Sequence, residues 1–198
     1  MVFISNRPLL KSYILQAKHL LRKRKNITYC FILGLKNPRN LFYRGLDIID
    51  EALAKGILDE NWNIFFVGSD VPLVTFPNGT QPKFLGQISW FEYSSFLKTV
   101  DLGLCLMHTP HPSYPPLDVV SSGGVVLTNT YRNKKELYYS KNIICRDLEK
   151  KELLSGLEEA IRLVKNREDR KMNYENNSIG NNWEKSFKEA IEYMNNYK

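Results

Sequence analysis

The chain has 198 residues, of which 43% are hydrophobic and 25% are charged, as in an ordinary globular protein with room for one α/β domain. Its formal net charge of +7 favours an anionic partner such as a phosphorylated ligand, an acidic lipid surface or nucleic acid, although a solvated basic surface accounts for it equally well. No apolar run is long enough to span a membrane, and the first ten residues are too short and too polar for a signal peptide. The three cysteines lie in apolar runs without metal-ligand spacing, so we interpret them as buried thiols of a protein in a reducing, cytoplasmic compartment.

Strands and helices are predicted to alternate from residue 27 to residue 164. Apolar runs predict strands at 27–35, 62–67, 83–86, 102–107, 125–127 and 143–145. Helical periodicity and helix-start signals predict helices at 40–55, 89–99, from about 115 onward, and at 133–137, 148–164 and 183–197. This order is typical of a Rossmann-like α/β fold, in which a parallel sheet is covered by helices on both faces. We divide the chain into an N-terminal connector (1–26), the α/β domain (27–165), and a polar crossing segment without an apolar period that leads to a C-terminal helix (166–198).

Three of the predicted helices carry recognisable end signals. Asn40 is expected to cap the first helix, and Gly56 fits the position just after its end. Ser89 and Glu92 have the spacing of a capping box at the start of the second helix. The third begins near a pair of prolines, which are tolerated in a first turn. The inner face of the first helix is predicted to consist of Leu41, Leu46, Ile49 and Leu53.

Basic or donor-rich points follow three of the predicted strands. They are Lys36 with Arg39 and Arg44, then residues 68–69, and then residues 108–113. Because the carboxyl ends of parallel strands share one edge of a sheet, these points are expected to converge. Arginine and lysine side chains, loop amides and a helix N-terminus together favour binding of a phosphate or diphosphate.

Each member of this set also has an ordinary structural explanation. Arg44 is spaced to pair with Asp47 or Glu51 on its own helix. Asp118 is near the start of the third helix. One role for it is to accept hydrogen bonds from vicinal hydroxyls, as acidic residues do for ribose in dinucleotide folds. The other is only to stabilise the N-terminus of its helix. The convergence of the three points therefore weighs more than any one residue.

Several other kinds of site are disfavoured by the motifs. The chain has no G-x-G-x-x-G after its first strand, no Walker-type phosphate loop and no G-x-S-x-G elbow. His108 and His111 have the spacing of a loop metal site, but only Asp118 is nearby as a further ligand, so a metal site is less favoured than a phosphate site or two ordinary loop histidines. The aromatic residues are not interleaved with basic ones, which argues against a nucleic-acid surface.

A set of longer motifs resembles a known family of enzymes. GLDIIDEAL at 45–53, KFLG at 83–86 and DVVSSGGVVLTN at 118–129 occur in the order found in the C-terminal, donor-binding domain of GT-B glycosyltransferases. The resemblance covers roughly residues 27–164. It implies one Rossmann-like half of a two-domain enzyme that transfers a sugar from a nucleoside-diphosphate sugar without a bound metal or other cofactor.

A narrower resemblance is to rhamnosyltransferases of the WsaF family. It is carried by PRN at 38–40, HPSYPPLD at 111–118 and VLTNTYRNKKEL at 126–137. It implies dTDP-rhamnose as the donor and a role in the synthesis of bacterial surface polysaccharides.

The resemblance also implies roles for individual residues. Arg44 corresponds to the basic residue that binds the donor diphosphate, and it would be the catalytic residue that stabilises the leaving group, with Lys36 and Arg39 assisting from the preceding loop. The remaining implied contacts with the donor lie in two later segments. In one of them His111, Ser113 and Tyr114 face the phosphates and Asp118 binds the ribose. In the other, Phe84 and Leu85 run along the base, which is held largely by backbone groups.

Two departures from the family pattern matter. Many GT-B enzymes carry a glutamate eight residues before the ribose-binding acid, and here that position is Pro110, while the acid itself is Asp118. The chain also has room for only one of the two domains, so we expect the acceptor saccharide to be bound by an N-terminal domain that it does not contain, and we expect the chain alone to be inactive.

Three alternatives stay open on the sequence alone. The chain is either such a donor half, or a non-catalytic, degenerate nucleotide-sugar-binding or interaction module, or part of a related α/β phosphosugar enzyme such as an epimerase. Basic residues 22–25 are compatible with peripheral contact with an anionic membrane at its inner face, and equally with a solvated connector.

Overall fold

A computed structural model describes residues 27–32, 37–110, 113–134, 138–180 and 183–196. The six strands are β1 (Ile27–Ile32), β2 (Trp62–Val67), β3 (Lys83–Gly86), β4 (Leu102–Cys105), β5 (Val125–Asn129) and β6 (Ile143–Arg146). The six helices in this part of the chain are α1 (Phe42–Ala54), α2 (Trp90–Leu97), α3 (Tyr114–Ser121), α4 (Lys150–Lys165), α5 (Arg167–Glu175) and α6 (Trp183–Asn196). The predicted connector, 1–26, lies outside the described residues.

All six strands are parallel and form one sheet in the order β3-β2-β1-β4-β5-β6. This is the strand order of doubly wound dinucleotide-binding folds, in which the order reverses between β1 and β4. Every residue of β4 and β5 is buried, as their unbroken apolar runs predict. The predicted Rossmann-like α/β fold is confirmed.

The two faces of the sheet hold separate hydrophobic cores. On one face, Phe31 and Phe66 pack with Ile48 of α1 and Leu157 of α4. On the other face, α2 and α3 cover a smaller cluster that includes Val126 and Ile143, with Leu97 and Val119 among its helical members. Side chains alternate between these cores along each strand, as the pleat requires.

Helix α1 lies unusually close to β1. A Cβ atom added to Gly45 would lie 1.9 Å from the Phe31 ring, so the first turn of α1 is in direct contact with that side chain. The buried face of α1 consists of Phe42, Gly45, Ile48, Ile49 and Ala52. The predicted residues all pack against this core, Ile49 buried and Leu41, Leu46 and Leu53 partly buried, but the prediction missed the other four buried positions.

The predicted N-cap of α1 was also wrong. The cap is Leu41, without a side-chain hydrogen bond, and Asn40 instead forms an antiparallel bridge with Met107. That long-range pairing holds the residues before the helix and moves its start. Gly56 follows the end of α1 with a φ of +68°, as predicted. The capping box of Ser89 and Glu92 at the start of α2 is present as well.

Helix α5 lies in the polar stretch 166–182, for which the sequence indicated no apolar stripe. Its cap is Asn166, whose side-chain oxygen accepts a hydrogen bond from the Asp169 amide at 3.2 Å. Polar contacts hold it to the amino edge of the sheet, where Arg170 Nε donates to the Gly123 carbonyl at 2.6 Å and Arg170 Nη1 pairs with Asp101 at 3.0 Å. A helix anchored by a buried ion pair has no hydrophobic period to detect.

Two smaller expectations can be checked. Cys105 and Cys145 are buried free thiols, as predicted. The short helix predicted at 133–137 lies mostly outside the described residues, and its first two positions belong to a turn closed by a bridge between Tyr131 and Lys134. Among the helices that the structure describes, none is both long and apolar enough to cross a membrane.

Candidate functional site

The loops that follow β1 and β4 are joined over the point where the strand order reverses. The Leu41 amide donates to the Leu106 carbonyl at 3.2 Å, and the His108 amide donates to the Arg39 carbonyl at 2.7 Å. These two segments come from opposite sides of the switch point, where ligands of open α/β sheets bind. Two of the three predicted points, at Arg39 and at His108, are therefore joined in the backbone, whereas the Gly68 amide of the remaining point donates to the Gly86 carbonyl at 3.1 Å.

The end of β5 holds the β4 exit in place. The Asn129 side chain accepts a hydrogen bond from the Met107 amide at 2.7 Å and donates to the Met107 carbonyl at 3.2 Å. Next to it, Thr128 Oγ1 donates to the Cys105 carbonyl at 2.7 Å and accepts from Lys134 Nζ at 3.0 Å. The end of β5 thus holds Cys105, the last residue of β4, and Met107, two residues beyond it.

Helix α1 begins at this edge without a capping side chain. Its N-cap, Leu41, provides no side-chain acceptor, and its first turn contains no acidic residue. The first amides of a helix have no partner within the helix and carry partial positive charge, so this end favours an anion. Arg44 lies in the same first turn and adds a full positive charge there.

The Arg44 guanidinium pairs with Asp47 on its own helix at 3.1 Å. The side chain of Arg44 is 41% exposed and that of Asp47 is 40% exposed. The structural explanation offered for Arg44 is thus present. Lys150 Nζ also reaches Asp47, at 2.8 Å, and Glu51 at 3.2 Å. With Lys55 on Glu51 at 3.1 Å, three cations face two carboxylates, which leaves this surface with net positive charge.

The pKa values on this surface follow from that network. Hydrogen bonds that Lys150 donates to Asp47 and then to Glu51 raise the pKa of Lys150. Hydrogen bonds from Lys55 and then Lys150 lower the pKa of Glu51. Both shifts favour the charged forms at neutral pH, so the excess of positive charge persists there.

Helix α3 presents a second N-terminus at the same edge. Its cap is Ser113, whose side chain accepts no hydrogen bond from the first turn, and that turn contains proline and no acidic residue. Tyr114 follows the cap and is 71% exposed. The predicted start of this helix near the two prolines is confirmed. Because prolines have no N–H group, this first turn offers fewer donor amides than that of α1, and it favours an anion mainly through the helix dipole and the amides of Ser113 and Tyr114.

Asp118 lies in the second turn of α3 and faces helix α2. Its carboxylate is 3.5 Å from the Tyr93 hydroxyl, at the long limit of a hydrogen bond. Stabilisation by a helix N-terminus falls off within the first turn, so that explanation for Asp118 is weakened. The contact with Tyr93 was not predicted, and no sequence pattern joins residues so far apart.

The two predicted base-contacting residues lie on edge strand β3. The Phe84 ring packs into the core with its centroid 5.5 Å from that of Phe66, and Leu85 packs into the opposite cluster. Both side chains are partly buried and pack against the two hydrophobic cores. The strand is hydrogen-bonded on one side only, to β2, so its outer backbone groups are the ones placed to meet a ligand. Capture of a base through backbone groups stays a prediction.

The structure brings only part of the predicted site together. Arg39 folds its side chain onto Asn37, with Nε 3.4 Å from Oδ1. Lys36 and His111 lie outside the described residues. No group of three His, Cys, Asp or Glu side chains that could hold a metal ion occurs within the described ranges.

A stack of side chains beside the β4 exit was also missed. The His108 ring lies 5.0 Å from the Tyr131 ring in a stacked arrangement, and the Arg132 guanidinium lies 5.4 Å from the centre of Tyr131. The signal for these residues was present in the motif at 126–137, which follows a buried strand. That motif carries part of the family resemblance, but no site residue was predicted within it.

Comparison with known proteins adds a family and a fold. The model of the family described as "WsaF, C-terminal domain" matches residues 30–158. A search of curated proteins finds no match.

Among solved structures, the chain is similar to WaaG, a glycosyltransferase involved in lipopolysaccharide biosynthesis (TM-score 0.56, 18% identity, 86% of this chain and 46% of that one). It is also similar to the C-terminal domain of the glycosyl transferase group 1 protein LpcC from Francisella tularensis (TM-score 0.52, 16% identity, 80% of this chain and 88% of that one). A third is Anabaena HepE in complex with UDP and glucose (TM-score 0.53, 16% identity, 84% and 46%). These likenesses show the fold, and the chain spans less than half the length of WaaG and HepE.

Proposed function

Because the chain belongs to the family of WsaF C-terminal domains, we propose that it is the donor-binding half of a GT-B glycosyltransferase and binds a nucleoside-diphosphate sugar at the carboxyl edge of its sheet. The observation that carries this proposal is the pair of helix N-termini, of α1 and α3, that flank the joined loops at the switch point. Neither first turn has a side-chain cap or an acidic residue, so both favour an anion. The complex of HepE with UDP and glucose supports a nucleotide as the ligand class.

The diphosphate is the part of the donor that these groups suit best. Arg44 gives up an exposed pair with Asp47, which is worth little, for a charge-assisted contact with phosphate. Asp47 keeps Lys150 as a partner when Arg44 turns away, so the exchange leaves no carboxylate uncompensated. Arg44 is therefore the residue that we assign to the leaving diphosphate.

The other donor contacts follow from position. The amides of Ser113 and Tyr114 open α3 and face the phosphates, while Arg39 approaches from the β1 loop. Asp118, with Tyr93 beside it, accepts hydrogen bonds from the ribose. The base lies along the outer backbone of β3 at Phe84 and Leu85. Lys36 and His111 stay sequence predictions.

In the reaction, cleavage of the sugar–phosphate bond leaves negative charge on the nucleoside diphosphate. Arg44 and the two helix N-termini stabilise that charge as it develops, without a metal ion. The acceptor saccharide and any general base belong to a second domain. By the family resemblance, the donor is dTDP-rhamnose and the product is part of a bacterial surface polysaccharide made on the cytoplasmic side of the membrane.

Titration calorimetry with dTDP, UDP and GDP tests this proposal. We expect one of the three to bind, and Arg44→Ala to weaken that binding by at least about 1.5 kcal/mol, or roughly tenfold, as loss of a charged hydrogen bond does. Lys55→Ala is the matched control, because Lys55 makes the same kind of pair with Glu51 at the other end of α1. Absence of binding by all three nucleotides would overturn the proposal, and unchanged affinity in Arg44→Ala would remove Arg44 from it.

A second candidate is a non-catalytic module that binds a nucleotide sugar without transferring it. Pro110 favours this reading, since it occupies the position where related enzymes carry an acid near the transferred sugar. The two candidates differ in the full-length parent protein. Transfer from a nucleotide sugar that Arg44→Ala abolishes supports the enzyme, whereas nucleotide binding with no transfer to any saccharide acceptor supports the module.

A further inference from the structure

Lys134 is a lysine with no exposed surface, and the proposed chemistry gives it no role. It lies at the end of the turn that follows β5, beneath the carboxyl edge of the sheet. Among its contacts, Nζ donates to Thr128 Oγ1 at 3.0 Å. Because Thr128 Oγ1 in turn donates to the Cys105 carbonyl at 2.7 Å, the three groups form a directed chain of hydrogen bonds.

Stability does not explain a lysine at this position. Removal of an ammonium group from water is costly, and well-packed apolar side chains are often as stabilising as a buried charge. A methionine of similar length would fill the same space without that cost. We therefore look for the role of the Lys134 ammonium group in the groups to which it is hydrogen-bonded.

The chain of hydrogen bonds ends on the last residue of β4. From there the backbone passes through Leu106 and Met107 to His108, whose amide is bound by the Arg39 carbonyl. Asn129, next to Thr128, holds both backbone groups of Met107. Lys134 and Asn129 thus fix the β4 exit. Through Leu106 and His108 that exit bonds the residues that lead into α1, where the diphosphate is proposed to bind.

We propose that Lys134 is a positioning residue, which acts through Thr128 to hold the β4 exit in the conformation that the donor diphosphate requires. The inference rests on the proposed function, since it concerns the same site. Lys134 itself does not touch the ligand. It orders the segment that holds the residues before α1, and pre-ordered donors bind an anion more tightly than donors that must be ordered on binding.

A pair of nucleotides that differ only in the second phosphate separates this role from general loosening of the fold. We would measure the affinity of wild type for dTDP and dTMP, or for UDP and UMP where calorimetry shows that uracil is the base bound. The affinity ratio of diphosphate to monophosphate reports the contact with the second phosphate. We expect Lys134→Met to lower that ratio about tenfold, which corresponds to the loss of one charged hydrogen bond between the displaced site and the second phosphate.

Thr128 supplies variants that keep the lysine. Thr128→Val retains the shape of the side chain and breaks the chain of hydrogen bonds, whereas Thr128→Ser retains the hydroxyl. We expect the valine variant to lower the ratio as Lys134→Met does, the serine variant to keep it near wild type, and the double variant Lys134→Met/Thr128→Val to be no worse than either single one, because both act in one chain. If Lys134→Met does not fold, the Thr128 pair still decides.

Each outcome bears on a different conclusion. Equal losses for mono- and diphosphate would show a merely structural effect and overturn the positioning role, as would an unchanged ratio in Thr128→Val. Failure of wild type to bind any diphosphate would instead overturn the proposed function, and this inference with it.

Discussion

The two edges of the sheet use the same kind of ion pair under opposite conditions. At the amino edge, Arg170 and Asp101 are 3.0 Å apart with side chains only 6% and 15% exposed. At the carboxyl edge, Arg44 and Asp47 are 3.1 Å apart and 41% and 40% exposed. A buried pair is costly to break, because it leaves a charge without compensation, while an exposed pair contributes little and exchanges readily. The comparison teaches that burial, and not the pairing, separates an arginine that holds the fold from one that is available to a ligand.

The surroundings of the two pairs reinforce this difference. Asp101 also accepts a hydrogen bond from the Thr28 amide at 3.0 Å, and Arg170 donates to the Gly123 carbonyl, so the amino-edge pair joins β1, β4 and the turn before β5. Arg44 makes no comparable link between strands in the described part of the chain. Four predictions test the contrast, beginning with the largest effect on stability.

Replacement of Arg170 by methionine should cost about 3–5 kcal/mol of unfolding free energy, as for other broken buried pairs. Urea denaturation followed by circular dichroism measures it. Asp101→Asn in the same background removes the stranded charge and keeps an acceptor for the Thr28 amide, so the double variant should recover part of the loss. A loss below about 1 kcal/mol in the single variant would mean that the two edges do not differ as described.

Replacement of Gly45 by alanine should cost about 1–3 kcal/mol, because the new Cβ would lie 1.9 Å from the Phe31 ring. Alanine favours a helix over glycine by about 1 kcal/mol, which is too little to offset that clash. Differential scanning calorimetry measures the change. Phe31→Leu should reduce the penalty of the added methyl group, and stabilisation by Gly45→Ala alone would show that α1 is free to move away from β1. A loss of stability in Gly45→Ala would show that α1 is held against β1, so that its exposed side chains at the carboxyl edge stand on a fixed backbone.

Replacement of Ser89 by alanine should cost about 1 kcal/mol through loss of the α2 cap. The Ser89 hydroxyl, and then its backbone amide, lower the pKa of Glu92 from the ordinary value of 4.5. Because the folded-state pKa is the lower one, the contribution of this carboxylate is full above pH 4.5 and is lost as the pH falls through the folded-state pKa. Unfolding of wild type and Glu92→Gln between pH 3 and pH 7, about the range over which a carboxylate titrates, checks this. A difference that grew on acidification would contradict it.

Replacement of Arg44 by alanine should change the unfolding free energy least, by about 0.5 kcal/mol or less, since its pair with Asp47 is exposed. Lys55→Ala should have a similarly small effect. Only nucleotide affinity should separate these two variants, as described above. A large loss of stability in Arg44→Ala would place Arg44 with Arg170 among residues that hold the fold.

Interactions between close neighbours in the chain could be predicted from sequence. The order of strands and helices, the Ser89 capping box, the turn at Gly56 and the start of α3 at its prolines all depend on residues within about four positions of one another. The resemblance over roughly residues 27–164 also identified the family, whose model matches residues 30–158. Patterns of this kind need no knowledge of what packs against them.

Only the tertiary structure decided which polar residues are buried and which face a ligand. Arg170 lies in a predicted polar crossing segment and Lys134 in a short predicted helix, and neither was expected to be buried, yet the fold buries both. The bridge between Asn40 and Met107 displaced a predicted cap, and the contact of Tyr93 with Asp118 joined two helices. The partners in most of these contacts are distant in the chain. The exception is the hydrogen bond between Lys134 and Thr128, and it matters only because Thr128 also bonds Cys105 on the neighbouring strand. The sequence by itself determined the strands, five of the six described helices and the family of this protein. Helix α5, and the burial that gives one Arg–Asp pair to the fold and leaves another for a ligand, arise only when distant segments meet.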